Sequence, residues 1–495
     1  MTSLASATDI HPVENSSLPF KVAIALALAA MADWLFYDAR LGLSLAIFAC
    51  AIASASLLAN HATLDRRSTV LGGIVLAIGL LPAIEAVSTL SFLVVIASLA
   101  LGLLLATNPD TTEFGERMRA LRNLFLFGPF RFFREVPQVF SVSSFTRGIA
   151  VWFIPALLSA IFVALFAAAN PMIEKWVYLF NPKLIFDYVS VWRALFWTMM
   201  LALVWPFVHV RWRRRHRPAT TVVESTEPEH PPAFGRVEFL GASTVLRSLI
   251  PFNLLFAAQS ILDATYLWGH AALPADVTYA GYAHRGAYPL ILTALLAGAF
   301  VLVAMRPGGP AEKSKVIRPL VYLWLAQNVL LVASSLLRLD LYVQIYMLTY
   351  WRIAAFIWMS LVALGLLLIV ARIILRRSNG WLIGANLIAL TAVLYICSLM
   401  NFAAIIADYN VSHSREAGTK GVLIDGNYLF QLGPQALPAI ERALQIRPLD
   451  PILVSGRDSL VEEQRKDIAS WRSWGFRSWR LQRYLDARQN SAAAG

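Results

Sequence analysis

Eleven long apolar runs leave this chain few folds to choose from. They span roughly residues 20–38, 41–59, 69–87, 90–107, 148–169, 193–210, 243–267, 287–305, 319–337, 353–375 and 381–406. Each approaches the roughly 20 residues that, at about 1.5 Å apiece, cross a hydrocarbon core about 30 Å thick. A bilayer offers the backbone no hydrogen-bond partners, so the runs are predicted to be helices. A barrel would show short alternating strands instead. The expected fold is all-α: a polytopic helical membrane protein of about 11 transmembrane helices with a small helical C-terminal extracytoplasmic domain. Hydrophobic residues at 58% and charged residues at only 15% exclude an ordinary soluble globular protein.

The net charge of +12 then reads as topology rather than as a nucleic-acid footprint. With the N-terminus inside, the cytoplasmic connections and span ends carry 23 Lys and Arg against 7 in the opposite connections, the other 12 lying in the C-terminal tail, which as a whole domain translocates largely regardless of its charge. The positive-inside rule therefore predicts a cytoplasmic N-terminus and an extracytoplasmic C-terminus. Residues 1–20 contain Asp9 and Glu14 and no Lys or Arg, so the first apolar run is read as an uncleaved span. Cys50 and Cys397 lie inside apolar runs with no CxxC spacing, which predicts small packed side chains rather than redox chemistry.

The expected organisation is a cytoplasmic tail over 1–19, a six-span bundle over 20–210, a basic and Pro-rich linker over 211–240, a five-span bundle over 241–407, and a helical periplasmic tail over 408–495. Within the first bundle, residues 111–147 mix Arg with Phe. Arg117, Arg122, Phe130, Arg131 and Arg134 are the expected lipid-interface residues, with aromatics in the acyl boundary and cations at anionic headgroups. The run Arg-Trp-Arg-Arg-Arg-His-Arg over 211–217 follows a span and precedes a Pro-rich stretch, so it is read as a stop-transfer anchor and linker. In the tail, Asp425 is expected to cap a short helix that Gly433-Pro434 ends. Asp450-Pro451 should open another, and Trp471 to Trp479 a last aromatic segment.

Charges inside spans are costly and mark candidate sites. Gln259 and Asp263 stand four apart on one helix face. Around them come Tyr282, His284 and Arg285, then Gln327 and Asn328, then Arg338, Asp340 and Tyr342, then Arg352. The predicted topology puts this polar constellation near the outer face. It reads either as a structural salt-bridge belt joining the seventh, ninth and tenth spans or as a periplasm-facing binding or catalytic site. No second ligand stands at metal spacing beside His284. HExxH, GxSxG, P-loop and glycine-rich nucleotide motifs do not occur. No metal, cofactor or catalytic residue is therefore assigned.

The order of Ala258-Gln259 to Asp263, Tyr282-Ala-His-Arg-Gly286, Ala326-Gln-Asn328, Arg338-Leu-Asp-Leu-Tyr342 and Leu348-Thr349 with Arg352 resembles the bacterial multi-pass membrane family known as domain of unknown function 4173, related to 4153. The tail residues Asp408-Tyr-Asn410, Tyr428-Leu429, Leu432-Gly433, Ala436-Leu-Pro438 and Trp471-Arg-Ser-Trp474 agree, with Gly475 departing from the Asn expected there. The resemblance covers about 240–480. It implies an inner-membrane location and supplies no activity. Three functions follow as expectations: a non-enzymatic envelope scaffold, assembly factor or sensor with an envelope protein partner; a transporter or flippase using the buried polar residues; or an intramembrane transferase on a lipid-linked substrate. The expected partners are the bilayer and its anionic lipids, with no nucleic acid.

Overall fold

The computed structural model describes residues 17–60, 65–107, 114–135, 155, 158–159, 161–163, 191–210, 242–269, 292–293, 295–301, 314–419 and 421–494. Every regular element among them is helical. Eight of these helices are long and apolar enough to cross a membrane, and a ninth apolar helix, Leu43–Ala59, is slightly shorter. The chain divides into two compact units, Met1–Pro218 with Arg465–Gly495, and Ala219–Gln464.

The first unit holds α1 (Leu18–Phe36), α2 (Leu43–Ala59), α3 (Arg66–Glu85), α4 (Thr89–Thr107), α5 (Phe114–Glu135) and α6 (Val191–Val208). Asp65 opens α3 by accepting from the Ser68 amide at 3.0 Å. The helices α3 and α4 form a hairpin whose backbones touch. A Cβ on Gly72 would collide with the Gly102 carbonyl, and one on Gly102 would sit 2.7 Å from the Gly72 oxygen. Small residues permit this approach, which is how helices gain packing in a medium as apolar as themselves.

Helix α6 runs antiparallel to α1, with Arg193 paired to Asp33 at one end. At its other end, Phe207 and Val208 accept from Ser56 and Asn60 of α2. Helix α5 lies against that second end, where Gly128 abuts Pro206 and Phe132 meets Trp205. The expected span 148–169 lies largely outside the described residues, and the basic linker 211–240 wholly so.

The second unit holds α7 (Ala242–Asp263), which continues as a π turn over Ala264–Trp268, then α8 (Ile317–Tyr346), α9 (Tyr350–Ile374) and α10 (Asn379–Leu399). Asn253 and Asp263 of α7 meet Leu320 and Arg338 of α8 in that order, so the two helices are parallel. Of the expected span 287–305, which falls between them in sequence, only 292–293 and 295–301 are described, all helical. Ala297 and Val301 are buried in the same core as Leu249, Leu325, Met359 and Leu366.

Two expected spans end elsewhere than predicted. Helix α8 runs on to Tyr346, past the expected span end near 337, so Arg338, Asp340 and Tyr342 are helical. Its 30 residues extend about 45 Å at 1.5 Å each, beyond the hydrocarbon core of about 30 Å. The last span stops at Leu399 rather than 406. Asn401 caps a separate helix, α11 (Phe402–Ser412), by accepting from the Ala404 amide, and donates to Gln435 of the tail at 2.9 Å.

The tail helices are α12 (Gly426–Gln431), α13 (Leu437–Ile446), α14 (Pro451–Ile468) and α15 (Phe476–Ala494). Asp425 caps α12 through the Tyr428 amide, and Asp450 accepts from Ile452 and Leu453 to open α14. Gly433 takes φ +79°, a conformation natural to glycine, at the α12 exit. The division between the units falls within α14.

Candidate functional site

Helices α7 and α8 enclose a polar seam. Along α7 the inward positions are Val245, Leu249, Asn253 and Asp263, and along α8 they include Trp324, Leu325, Asn328, Ser335 and Arg338. The spacing of three and four keeps each set on one face, so the polar members are carried inward with the apolar ones.

At one end of the seam Arg338 forms an ion pair with Asp263 Oδ1. The same oxygen accepts from Gln259 Nε2 at 2.9 Å. Only 4% of the Arg338 side chain and 2% of the Asp263 side chain remain exposed. Immediately afterwards the helix widens into the π turn, and Trp268 Nε1 donates to Ser334 Oγ at 3.2 Å. Widened turns of this kind recur beside functional residues, where they re-aim side chains.

Two residues beyond Arg338, Asp340 Oδ2 accepts from Gln344 at 2.8 Å. Tyr342 stacks on Tyr346, and the Arg352 guanidinium lies 4.7 Å over the Tyr342 ring. Arg352 also donates to the carbonyls of Tyr346 and Met347. Those bonds hold a junction in which Met347 adopts φ +69°, a strained angle for a side-chain-bearing residue. Asn410 of α11 completes the clasp, accepting from the Leu348 amide at 2.7 Å and donating to its carbonyl at 3.0 Å. Burial pushes the Tyr428 and Tyr409 phenols above their ordinary values, Asp340 adding to the rise at Tyr409.

Midway along the seam the polar groups are neutral. Gln327 Nε2 donates to the Asn253 carbonyl at 3.3 Å. Asn253 Nδ2 donates to the carbonyls of Leu249 and Leu320, and Asn328 Nδ2 to that of Trp324.

The structure therefore joins Gln259, Asp263 and Arg338, and separately Asn253, Gln327 and Asn328. It pairs Arg352 with its own helix junction rather than with Asp263 or Asp340. Among the described residues, the ion pair of the predicted belt joins the seventh and ninth spans. Tyr282, His284 and Arg285 lie outside the described residues. Among the described residues no group of three or more His, Cys, Asp or Glu could hold a metal. Of the lipid-interface residues, Phe130 is 73% exposed on α5, while Arg131 is partly buried.

Sequence reasoning missed a second buried polar group, in the first unit. Lys21 at 2% exposure approaches Asn60 Oδ1 at 3.4 Å. Glu135 Oε2 accepts from Trp205 Nε1 at 3.0 Å and stands 3.6 Å from His209 Nε2. One signal pointed to it: Glu135 shares the α5 face of Leu121, Leu124 and Gly128 at helical spacing, the face turned toward α6.

Fold and seam define the class: a polytopic helical membrane protein with an ion-paired, amide-lined seam between parallel helices and an ordered helical tail. The chain belongs to the family described as Domain of unknown function (DUF4153), which matches residues 71–443. This corrects the expected assignment to domain 4173, a different family. The match begins within α3, well before residue 240, and ends within α13, short of the Trp471 motif. No curated protein and no solved structure matches the chain.

Proposed function

We propose that the protein is a non-enzymatic scaffold, assembly or sensory component of a bacterial cell envelope, set in the inner membrane with its C-terminal domain in the periplasm. The single observation that carries this reading is the tail itself. It is ordered, clasped to a helix junction by Asn410, and it displays apolar side chains. Leu449 is 93% exposed, and Phe430, Ile446 and Ile452 are 43%, 40% and 46% exposed. Phe430 and Ile452 lie on adjoining helices, each against a glycine of the other, Gly456 and Gly426. An extramembranous patch of this kind suits a protein partner. Among the described residues, Asp263 and Arg338 bond to each other and Arg352 bonds to backbone carbonyls, so these groups are committed within the protein.

A photo-crosslinking residue at Leu449 in native membranes tests this. A discrete protein adduct, lost with Ile452→Asp, supports the scaffold. Labelling of lipid alone, or no adduct, overturns it. A second reading, a transporter or flippase, draws on the neutral amides buried at mid-depth, where transport sites form.

A further inference from the structure

Glu135, Trp205 and His209 of the first unit meet where α5 ends against α6. Glu135 Oε2 accepts from Trp205 Nε1 at 3.0 Å and lies 3.6 Å from His209 Nε2. The Trp205 and His209 ring centroids are 5.4 Å apart, with planes tilted by 34°. All three residues are buried. The local sequence builds this meeting point. Trp205 and His209 stand four apart and so share a face, and the His209 amide closes the last turn of α6 by donating to the Trp205 carbonyl at 2.8 Å. Glu135 is brought to them by the α5 face that buries Leu124 and Gly128.

Histidine is the residue type that changes charge between about pH 5 and 8. Three surroundings attract an imidazolium more strongly than a neutral ring. The first is Glu135 Oε2, whose 3.6 Å separation is too long for a hydrogen bond yet within reach of an ion pair. The second is the indole of Trp205, since aromatic faces attract cations. The third is the C-terminus of α6, because His209 directly follows its last residue, Val208, at the negative end of the helix dipole. Three cations stand on the helices packed against α6 here. Lys21 of α1 donates to Asn60 Oδ1 at 3.4 Å, and Arg131 and Arg134 precede Glu135 on α5. From α2 come only the neutral Ser56 and Asn60, which bond to the Phe207 and Val208 carbonyls. Among the described residues Glu135 is the one buried carboxylate at this end, and it offsets these cations.

We propose that His209 and Glu135 form a proton-operated latch between α5 and α6. Protonation of His209 turns its contact with Glu135 into an ion pair and fastens the end of α5 to α6. Deprotonation removes the pair and loosens that end. The contribution to docking is present on the acid side of the imidazole range and is lost as pH rises through it. On its other side α5 exposes Phe127 and Phe130, so the latch controls how firmly an aromatic helix is held to the bundle. All of its residues lie in the first unit, and it does not depend on the tail having a partner.

The test is hydrogen exchange by mass spectrometry on the full-length protein in nanodiscs at about pH 5.5 and about pH 8, with amide rates corrected for their intrinsic dependence on pH. Peptides covering 124–135 should exchange about tenfold more slowly at the lower pH, the scale of one charge-assisted contact, while those from α9 keep the same corrected rate. His209→Gln and Glu135→Gln should each abolish the difference and leave α5 at the faster rate. Equal corrected protection of α5 at both pH values in the native protein overturns the proposal, and this comparison needs no variant to fold. A pH difference that persists in folded His209→Gln also overturns it. Crosslinking at Leu449 reads the tail separately, so loss of the latch and loss of the scaffold reading are distinct outcomes.

Discussion

The Asp263–Arg338 pair offers the sharpest quantitative test of the seam. Its side chains keep 2% and 4% of their exposure, and it joins α7 to α8 across 75 residues of sequence. Removing one partner of such a buried pair strands the other charge and costs about 3–5 kcal/mol. Replacing both with apolar residues of similar volume removes two desolvated charges together and is often neutral or better. Asp263→Leu and Arg338→Leu should therefore each destabilise the protein by about 3–5 kcal/mol, whereas the double variant should fall within about 1 kcal/mol of native. The coupling energy is then close to the sum of the two single losses and opposite in sign. Reversible unfolding in mixed micelles, followed by tryptophan fluorescence, gives all four corners of the cycle. Single losses near the roughly 0.6 kcal/mol typical of interhelical hydrogen bonds in membranes would refute the reasoning, because the pair would then be hydrated. A double variant that is stable yet inactive in vivo would show the pair to be more than a fastener.

Three further outcomes follow from individual contacts. Gly102→Val should disrupt the α3–α4 hairpin, since its Cβ would sit 2.7 Å from the Gly72 oxygen; loss of folded monomer in detergent size-exclusion chromatography checks it, and a native profile contradicts it. Asn410→Ala strands a buried amide and carbonyl at Leu348, at about 1–3 kcal/mol each, and should let limited proteolysis cut the tail faster while the spans stay protected. Burial raises the Tyr428 phenol in the folded state, so its contribution is complete below the unfolded value of about 10 and is lost as pH rises through the folded value; Tyr428→Phe should flatten the alkaline limb of the stability profile.

The apolar runs made the spans legible because a bilayer demands about 20 consecutive apolar residues whatever the partners are. Caps were legible for a similar reason: Asp425 and Asp450 act on amides two or three residues away. Helix ends set by distant residues were not. Asn401 interrupts the last apolar run because Gln435 receives its amide, and nothing local announces that. The same holds for pairing. The spacing of Gln259 and Asp263 showed their shared face, while Arg338 as the partner depended on α7 and α8 running parallel. Lys21 meets Asn60, 39 residues away, and Asp33 meets Arg193 from α6, partners that no local spacing announces.

Within each unit, helix direction and basic residues bear on the tail's side of the membrane independently. In the first unit, Arg66 and Arg67 begin α3 at the end where α5 lies. The opposite end carries Glu85, which accepts from Arg477 and Arg480, and Trp34, which packs on Trp471. The Leu43 amide there donates to the Trp474 carbonyl at 2.8 Å. In the second unit, Lys315, Arg318, Arg372, Arg376 and Arg377 gather where α8 begins and α9 ends. Asn410 clasps the other end, at Leu348. Each tail segment thus packs at the end away from its own unit's basic cluster. The charge rule assigns basic ends to the cytoplasm. Under that rule each set of contacts, built from different residues, would put its tail segment on the non-cytoplasmic side, as the proposed topology requires.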